Sequence, residues 1–370
     1  MGPDLLTTRA LNRATLARQL LLERSDLAPL DAIEHLVGMQ AQEPLNPYVG
    51  LWSRLDRFEP DQLAKLLWDR EVVRIVVMRA TIHLVTADDC RLLRPLMQPV
   101  LDREWPRHRD YGPGLREVDF EPVLAYVGPL LADQPHTGPQ LRTALAERFP
   151  EHEPAALAYA CRCLLPLVQV PPRGIWGQRA QVTSTTAETW LGRPLVTNPS
   201  IDAVVLRYLA AFGPATAADV ATWSRLTGFR EVLDRLRPQL RAFRDQDDRE
   251  LLDLPDAPRP DPDTPAPPRF LPEYDNVLLS HADRRRVIPE GLRTPTDAPR
   301  LQGSALSDGF LRAIWSVDRD KKSGRATLIV HGLDRLTKPA SAALEAEGRR
   351  LLRLIAGDAD RHDVRVLPVD

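Results

Sequence analysis

The sequence predicts a mainly α chain with β-hairpin wings, an α+β architecture of three tandem winged-helix units followed by a C-terminal β-rich module. Three observations predict it. Amphipathic helical segments come in groups of three, and each group is closed by two strand-like runs at hairpin spacing. After a proline-rich stretch at 255–269 the hydrophobic period changes from helical to alternating. At 370 residues there is room for several compact units, placed at 1–118, 119–195, 196–256 and 257–370.

In the first unit, Leu16, Leu20 and Leu21 share one face of a helix over 12–23. A second helix starts at Pro29, carries Ile33, Leu36 and Val37 at i, i+3, i+4 spacing, and is expected to run on to Gln40. Pro44 biases Glu43 out of the helical region, so the helix should stop there and leave the amides of Gln40 and Gln42 at an opening. The spacing by itself equally describes a helix end with solvated amides. A third helix over 60–70 buries Leu63, Leu66 and Leu67. The runs 72–78 and 82–86 then form a hairpin across Arg79-Ala80-Thr81, and Thr86 with Asp89 makes a capping box for a further helix.

The second unit repeats this order with helices over 123–131, 140–149 and 154–165, the middle one opened by the capping-box spacing of Thr137 and Gln140. Its wing is expected to pair 167–170 with 175–182 across Pro171-Pro-Arg-Gly174. In the third unit, a helix over 201–212 is closed by Gly213-Pro214, the next is capped by Thr216 with Asp219, and Thr227-Gly228 turns into a third over 229–236, a helix-turn-helix arrangement. Runs 240–243 and 250–254 supply its wing. Strands over 310–317, 325–330 and 363–369, with a helix over 339–355, complete the chain.

A formal net charge of -2 argues against binding nucleic acid by bulk positive charge, and leaves room for a local surface of arginines. Arginine clusters lie at 103–109, 225–249 and 284–286; such a cluster is also the composition of a solvated face. No apolar run has the length of a membrane span and no signal-peptide pattern opens the chain. With three cysteines, two of them the helical Cys161 and Cys163, the reading is a cytoplasmic protein without disulfides. The histidines and cysteines show no zinc-ligand spacing and no glycine-rich phosphate loop is present, so neither metal nor cofactor is expected.

The stretch beginning Gly38-Met-Gln-Ala-Gln-Glu-Pro44 and continuing to Trp52, the run 77–89, Gly174-Ile-Trp-Gly177, and the runs 185–192, 213–223 and 270–284 resemble, in order, segments of the AlkZ-like winged-helix DNA glycosylases. The likeness covers nearly the whole chain. In that family a Gln-aliphatic-Gln motif is the catalytic element, and a sister branch has Asp at the second position. The resemblance implies tandem winged-helix units shaped to hold duplex DNA, activity towards alkylated bases and, in some members, interstrand crosslinks. Gln40 and Gln42 then become the catalytic pair, and double-stranded DNA with alkylated bases the partner. One departure is Ala80, where glycine is expected in the first wing.

A carboxamide neither donates nor takes a proton in the working range, so Gln40 and Gln42 cannot replace the carboxylate pair of most glycosidases. They can fix and orient a water near the sugar C1′, which suffices when the leaving group already carries positive charge, as a purine alkylated at N7 or N3 does. Glu43 is the nearest carboxylate and a capping or solvated residue by context, while Asp275 and Asp283 read as partners of arginines. Candidates for touching DNA are Arg79, Thr81 and His83 on the first wing, Arg173, Trp176 and Arg179 on the second, and Arg284 and Arg285; for His83 a structural role is equally open, and Trp52 and Trp223 belong to the core. A DNA-binding protein without activity, or a protein-binding scaffold, would share the helices and hairpins. Neither would need the glutamine pair.

Overall fold

The computed structural model describes residues 4–292, 302–320 and 322–368. The first segment contains β1 (Asp4–Leu6), α1 (Thr8–Arg18), α2 (Pro29–His35), β2 (Met39–Gln40), α3 (Asn46–Arg54), α4 (Pro60–Trp68), β3 (Val72–Val76), β4 (Ile82–Thr86) and α5 (Ala87–Glu104). Three of its five helices begin where side chains satisfy the free N–H groups, and α2 and α3 instead carry Pro in the first turn. Thr7 caps α1, Thr86 caps α5, and Glu59 with Gln62 forms a capping box on α4. The second segment holds α6 (Gly112–Leu115), α7 (Phe120–Asp133), β5 (His136–Thr137), α8 (Gly138–Arg148), α9 (Pro154–Leu164), β6 (Leu167–Gln169), β7 (Thr183–Thr186) and α10 (Ala187–Leu191). The Thr137–Gln140 capping box forms as the spacing predicts.

The third segment comprises α11 (Ile201–Phe212), α12 (Ala217–Ser224), α13 (Phe229–Leu236), β8 (Arg241–Asp245) and β9 (Glu250–Asp253), with the parallel strand β1 added beside β8. After it come β10 (Arg269–Leu271), β11 (Gly303–Ser307), β12 (Phe310–Asp320), β13 (Arg325–Gly332), α14 (Lys338–Ile355) and β14 (Arg361–Leu367), forming a five-stranded sheet in chain order with α14 against it. The proline-rich stretch is a strap. Arg9, Arg13 and Arg18 of α1 donate to the carbonyls of Pro262, Thr264 and Pro258 along it.

Two expectations are corrected. The second wing does not use 175–182, because Gly174 and Gly177 both take positive φ and Pro171-Pro172 cannot donate to a ladder; β6 pairs instead with Thr183–Thr186, leaving 171–182 as a loop. The first hairpin is no free wing, since β3 and β4 lie inside a six-stranded sheet of order β2-β4-β3-β6-β7-β5 and every residue of both strands is buried. Even-numbered Val72, Val76, Ile82 and Leu84 enter a core shared with the C-terminal sheet, and odd-numbered Val73, Ile75, Val77 and Val85 enter a core shared with α11–α13. A nearly continuous β-branched run is the pattern of a strand buried on both faces.

Two fully buried ion pairs tie early residues to late ones: Arg18 with Asp253, at 2.6 Å, and Arg54 with Asp275, at 2.8 Å. Asp275 also accepts the Val277 N–H, so both of its oxygens are used. Replacing Asp275 by Ala leaves the Arg54 guanidinium uncompensated inside the protein, and urea unfolding should show a loss of about 3–5 kcal/mol.

Candidate active site around the glutamine pair

Gln40 sits on a short strand and Gln42 in the bend just after it, instead of at a helix end. Helix α2 stops at His35 because Val37 (φ 54°) and Gly38 (φ 87°) adopt left-handed conformations and the Gly38 N–H returns to the Ile33 carbonyl. A Cβ at Gly38 would come within 2.7 Å of Val85, so glycine is required by contact as well as by φ. The chain then runs extended: Met39 pairs with Leu84, Gln40 with His83, and the Ala41 N–H donates to the Ile82 carbonyl. Met39 and Ala41 point into the core shared with the C-terminal sheet, while Gln40 takes the opposite face. Gln42, the exposed member, accepts a long hydrogen bond from the Ile82 N–H, at 3.4 Å.

Gln40 is buried and its oxygen is occupied. Arg79, in the turn between β3 and β4, donates to Gln40 Oε1 at 2.8 Å and to the Trp223 carbonyl at 2.9 Å. The same guanidinium lies 3.2 Å from His83 Nε2 and 3.3 Å from Asn276 Oδ1. No carboxylate is among these partners. Burial, with the charge of Arg225 adding to it, lowers the Arg79 pKa to about 10. Arg79 and Ala80 both have φ of 56°, which identifies the turn as a place where glycine would be unstrained and explains the expectation of glycine at position 80.

Of the residues expected to touch DNA, Arg79 and His83 therefore turn inward. His83 is wholly buried, and burial with Arg79's charge pushes its pKa down to about 3. The half-buried Thr81 spends its hydroxyl on the Met78 carbonyl. Trp176 packs on Tyr48 with ring centroids 4.9 Å apart, and Arg285 is held by Asp247 and Asp283. Arg284 and Arg179 are exposed. Sequence reasoning missed Asn276, which joins the glutamine strand by donating to the Gly38 carbonyl at 2.9 Å. Its signal lay inside the run 270–284, one residue after Asp275.

A cavity of about 880 Å³ opens next along the chain. Glu43, Asn46, Arg173, Arg179 and Glu273 bring polar groups to it, and Leu45, Val49, Pro272, Trp315 and Val317 an apolar lining. Burial, reinforced by Glu43, raises the Glu273 carboxyl above its ordinary value. The cavity thus joins the segment that follows Gln42, the 171–182 loop and the C-terminal sheet.

A family model described as DNA glycosylase AlkZ-like matches residues 33–354. That span includes the glutamine strand, Arg79, His83 and Asn276, and the class it defines is DNA-repair glycosylases. The chain belongs to the AlkZ-like DNA glycosylase family. Among solved structures, the Streptomyces sahachiroi DNA glycosylase AlkZ is similar in fold, with a TM-score of 0.77 and 19% sequence identity over 98% of this chain and 100% of that one. No curated protein matches the chain.

His281, like His83, is buried, and burial with the charge of Arg286 lowers its pKa to about 3. Between about pH 3 and the unfolded-state value near 6.5 the unfolded chain binds protons that the native one refuses, so stability falls as pH drops through this window. Each histidine contributes a slope of about 1.4 kcal/mol per pH unit. Urea unfolding between pH 4.5 and 6.5 should show His83→Gln with close to half of the histidine-linked slope.

Proposed function

We propose that the protein is a monofunctional DNA glycosylase that excises cationic alkylated purines, of the N7-alkylguanine type and including interstrand crosslinks, by hydrolysis of the N-glycosidic bond. The observation that carries the reading is the pair of neutral amides at the end of one edge strand, Gln40 on it and buried, Gln42 in the bend beyond it and exposed, with neither hydrogen-bonded to an acid among the described residues. A site with uncharged catalytic groups lacks a strong general acid. It suits a leaving group that departs as a neutral base because it started as a cation.

The same reading takes the helix groups and their hairpins as three winged-helix units at 1–118, 119–195 and 196–256, with 257–370 as a β-rich module, gathered around one DNA duplex. In support, α12 and α13 meet across the positive-φ Gly228 as helix, turn and helix. Arg179, Arg284 and Arg173 supply phosphate contacts in this arrangement. The protein works as a monomer at the nucleoid. The cavity beside Glu43 offers room for an adduct that remains outside the stack, so a small, fully flipped base is not required.

Matched duplexes carrying N7-methylguanine, N3-methyladenine, a bis-guanine crosslink, uracil or 8-oxoguanine, scored for abasic sites, test the reading. Excision of the first three and sparing of the last two is the expected outcome; efficient release of uracil would overturn it. Gln42→Ala should lower single-turnover excision on the order of 10²-fold while duplex affinity stays nearly constant, because the lost interaction belongs to the transition state.

A further inference from the structure

Resting on the glycosylase reading, we infer that Arg79 is the positioning residue of Gln40: it holds the amide oxygen inward and turns the amide nitrogen outward, so that Gln40 acts as a hydrogen-bond donor and Gln42 supplies the acceptor. The two glutamines, alike in chemistry, are thereby given opposite roles.

The assignment follows from what each neighbour can donate or accept. A guanidinium has donors only, so the Gln40 atom 2.8 Å from Arg79 must be the oxygen. The reversed amide would set two donors against each other in a buried place. Arg79 is itself fixed on every side. Its NH1 is tied to the Trp223 carbonyl. His83 Nδ1 lies 3.0 Å from the Thr81 carbonyl, which can only accept, so the ring proton is on Nδ1 and Nε2 presents a lone pair to Arg79. Asn276 gives its amide N–H to Gly38, which leaves Oδ1 for the same guanidinium. Three acceptors converge on one nitrogen of Arg79, and the closest of them is Gln40.

With its oxygen engaged, Gln40 retains two outward N–H donors that the positive charge behind them polarises. A water held between the pair accepts from Gln40 on one lone pair and donates to Gln42 Oε1, leaving its second lone pair for C1′. As the C1′–N bond breaks, its electron pair leaves with the purine and cancels the ring charge. The water oxygen bonds to C1′ and its proton passes to solvent.

Single-turnover excision of N7-methylguanine from a duplex, with affinity for that duplex measured separately, tests the inference. Arg79→Met should lower the rate about 10²-fold by freeing the Gln40 amide, while affinity changes by less than about threefold. Arg79→Lys, which keeps a donor, should recover part of that loss. An unchanged rate would overturn the inference, and a loss confined to affinity would overturn it and return Arg79 to a DNA-contact role. Gln40→Glu decides the matter even where Arg79→Met does not fold, since the carboxylate pairs with Arg79 and raises the melting temperature but carries no N–H. Its rate should fall as far as that of Gln40→Ala. Wild-type-like excision by Gln40→Glu would sink the donor assignment alone, whereas a wild-type protein inactive on every cationic lesion sinks the glycosylase reading and this inference with it.

Discussion

The buried pair of Arg54 with Asp275 is the constraint from which the geometry of the site follows. Its partners lie on α3 and on the segment after β10, 221 residues apart, and both are closed to solvent. A charge pair this deep is held only with complete geometry, because either partner alone would carry the whole desolvation cost. Asp275 therefore cannot move away from α3, and Asn276, the next residue, is delivered beside Gly38 and Arg79. The late segment completes the wall of the candidate site through a bond made one residue earlier.

The arginine content takes on a different meaning in this light. Arg13, Arg18, Arg54, Arg74 and Arg94 are among the largest fully buried side chains, and Arg18 and Arg54 meet carboxylates from distant parts of the chain. Arg94 instead donates to the carbonyls of Cys163 and Leu165, and Arg74 to the Gln169 amide. A guanidinium can reach several acceptors at once and stays bound to carbonyls where a lysine would be poorly satisfied. Much of the basic charge is consequently structural. Other arginines stay exposed, among them Arg103, Arg107, Arg109, Arg179 and Arg284, so the basic charge is divided between interior and surface.

Apart from the Arg79 guanidinium, the groups bonded around Gln40 are uncharged. His83 stays uncharged because the site is desolvated and Arg79 is adjacent, and Arg79 itself has only neutral partners. If Gln40 acts as proposed, a cation behind its amide costs some electrostatic stabilisation of an oxocarbenium-like sugar. In return the amide is held in one orientation, and orientation is the main contribution a neutral group can make.

Local chemistry was legible in the sequence wherever one short stretch decides the outcome. The helix over 201–212, the caps at Thr86, Thr137 and Thr216, the hairpin of β3 and β4, the third wing and the period change after the proline-rich strap are all set by near neighbours, and each stands in the structure as read. The exposure of Gln42 was also legible, although its cause is the bend after β2 and not a helix end. Helix α3 and strands β10 and β11 went unread because their stability comes from partners far along the chain. So did the burial of the first hairpin on both faces, the pairing of β6 with Thr183–Thr186, and the inward turn of Arg79 and His83. Periodicity reports which faces are apolar; it does not report what covers them. Only tertiary structure could bring the Gly38 carbonyl, Gln40, Arg79, His83, Trp223 and Asn276 together, because donors and acceptors that satisfy one another in space leave no pattern of spacing along the chain.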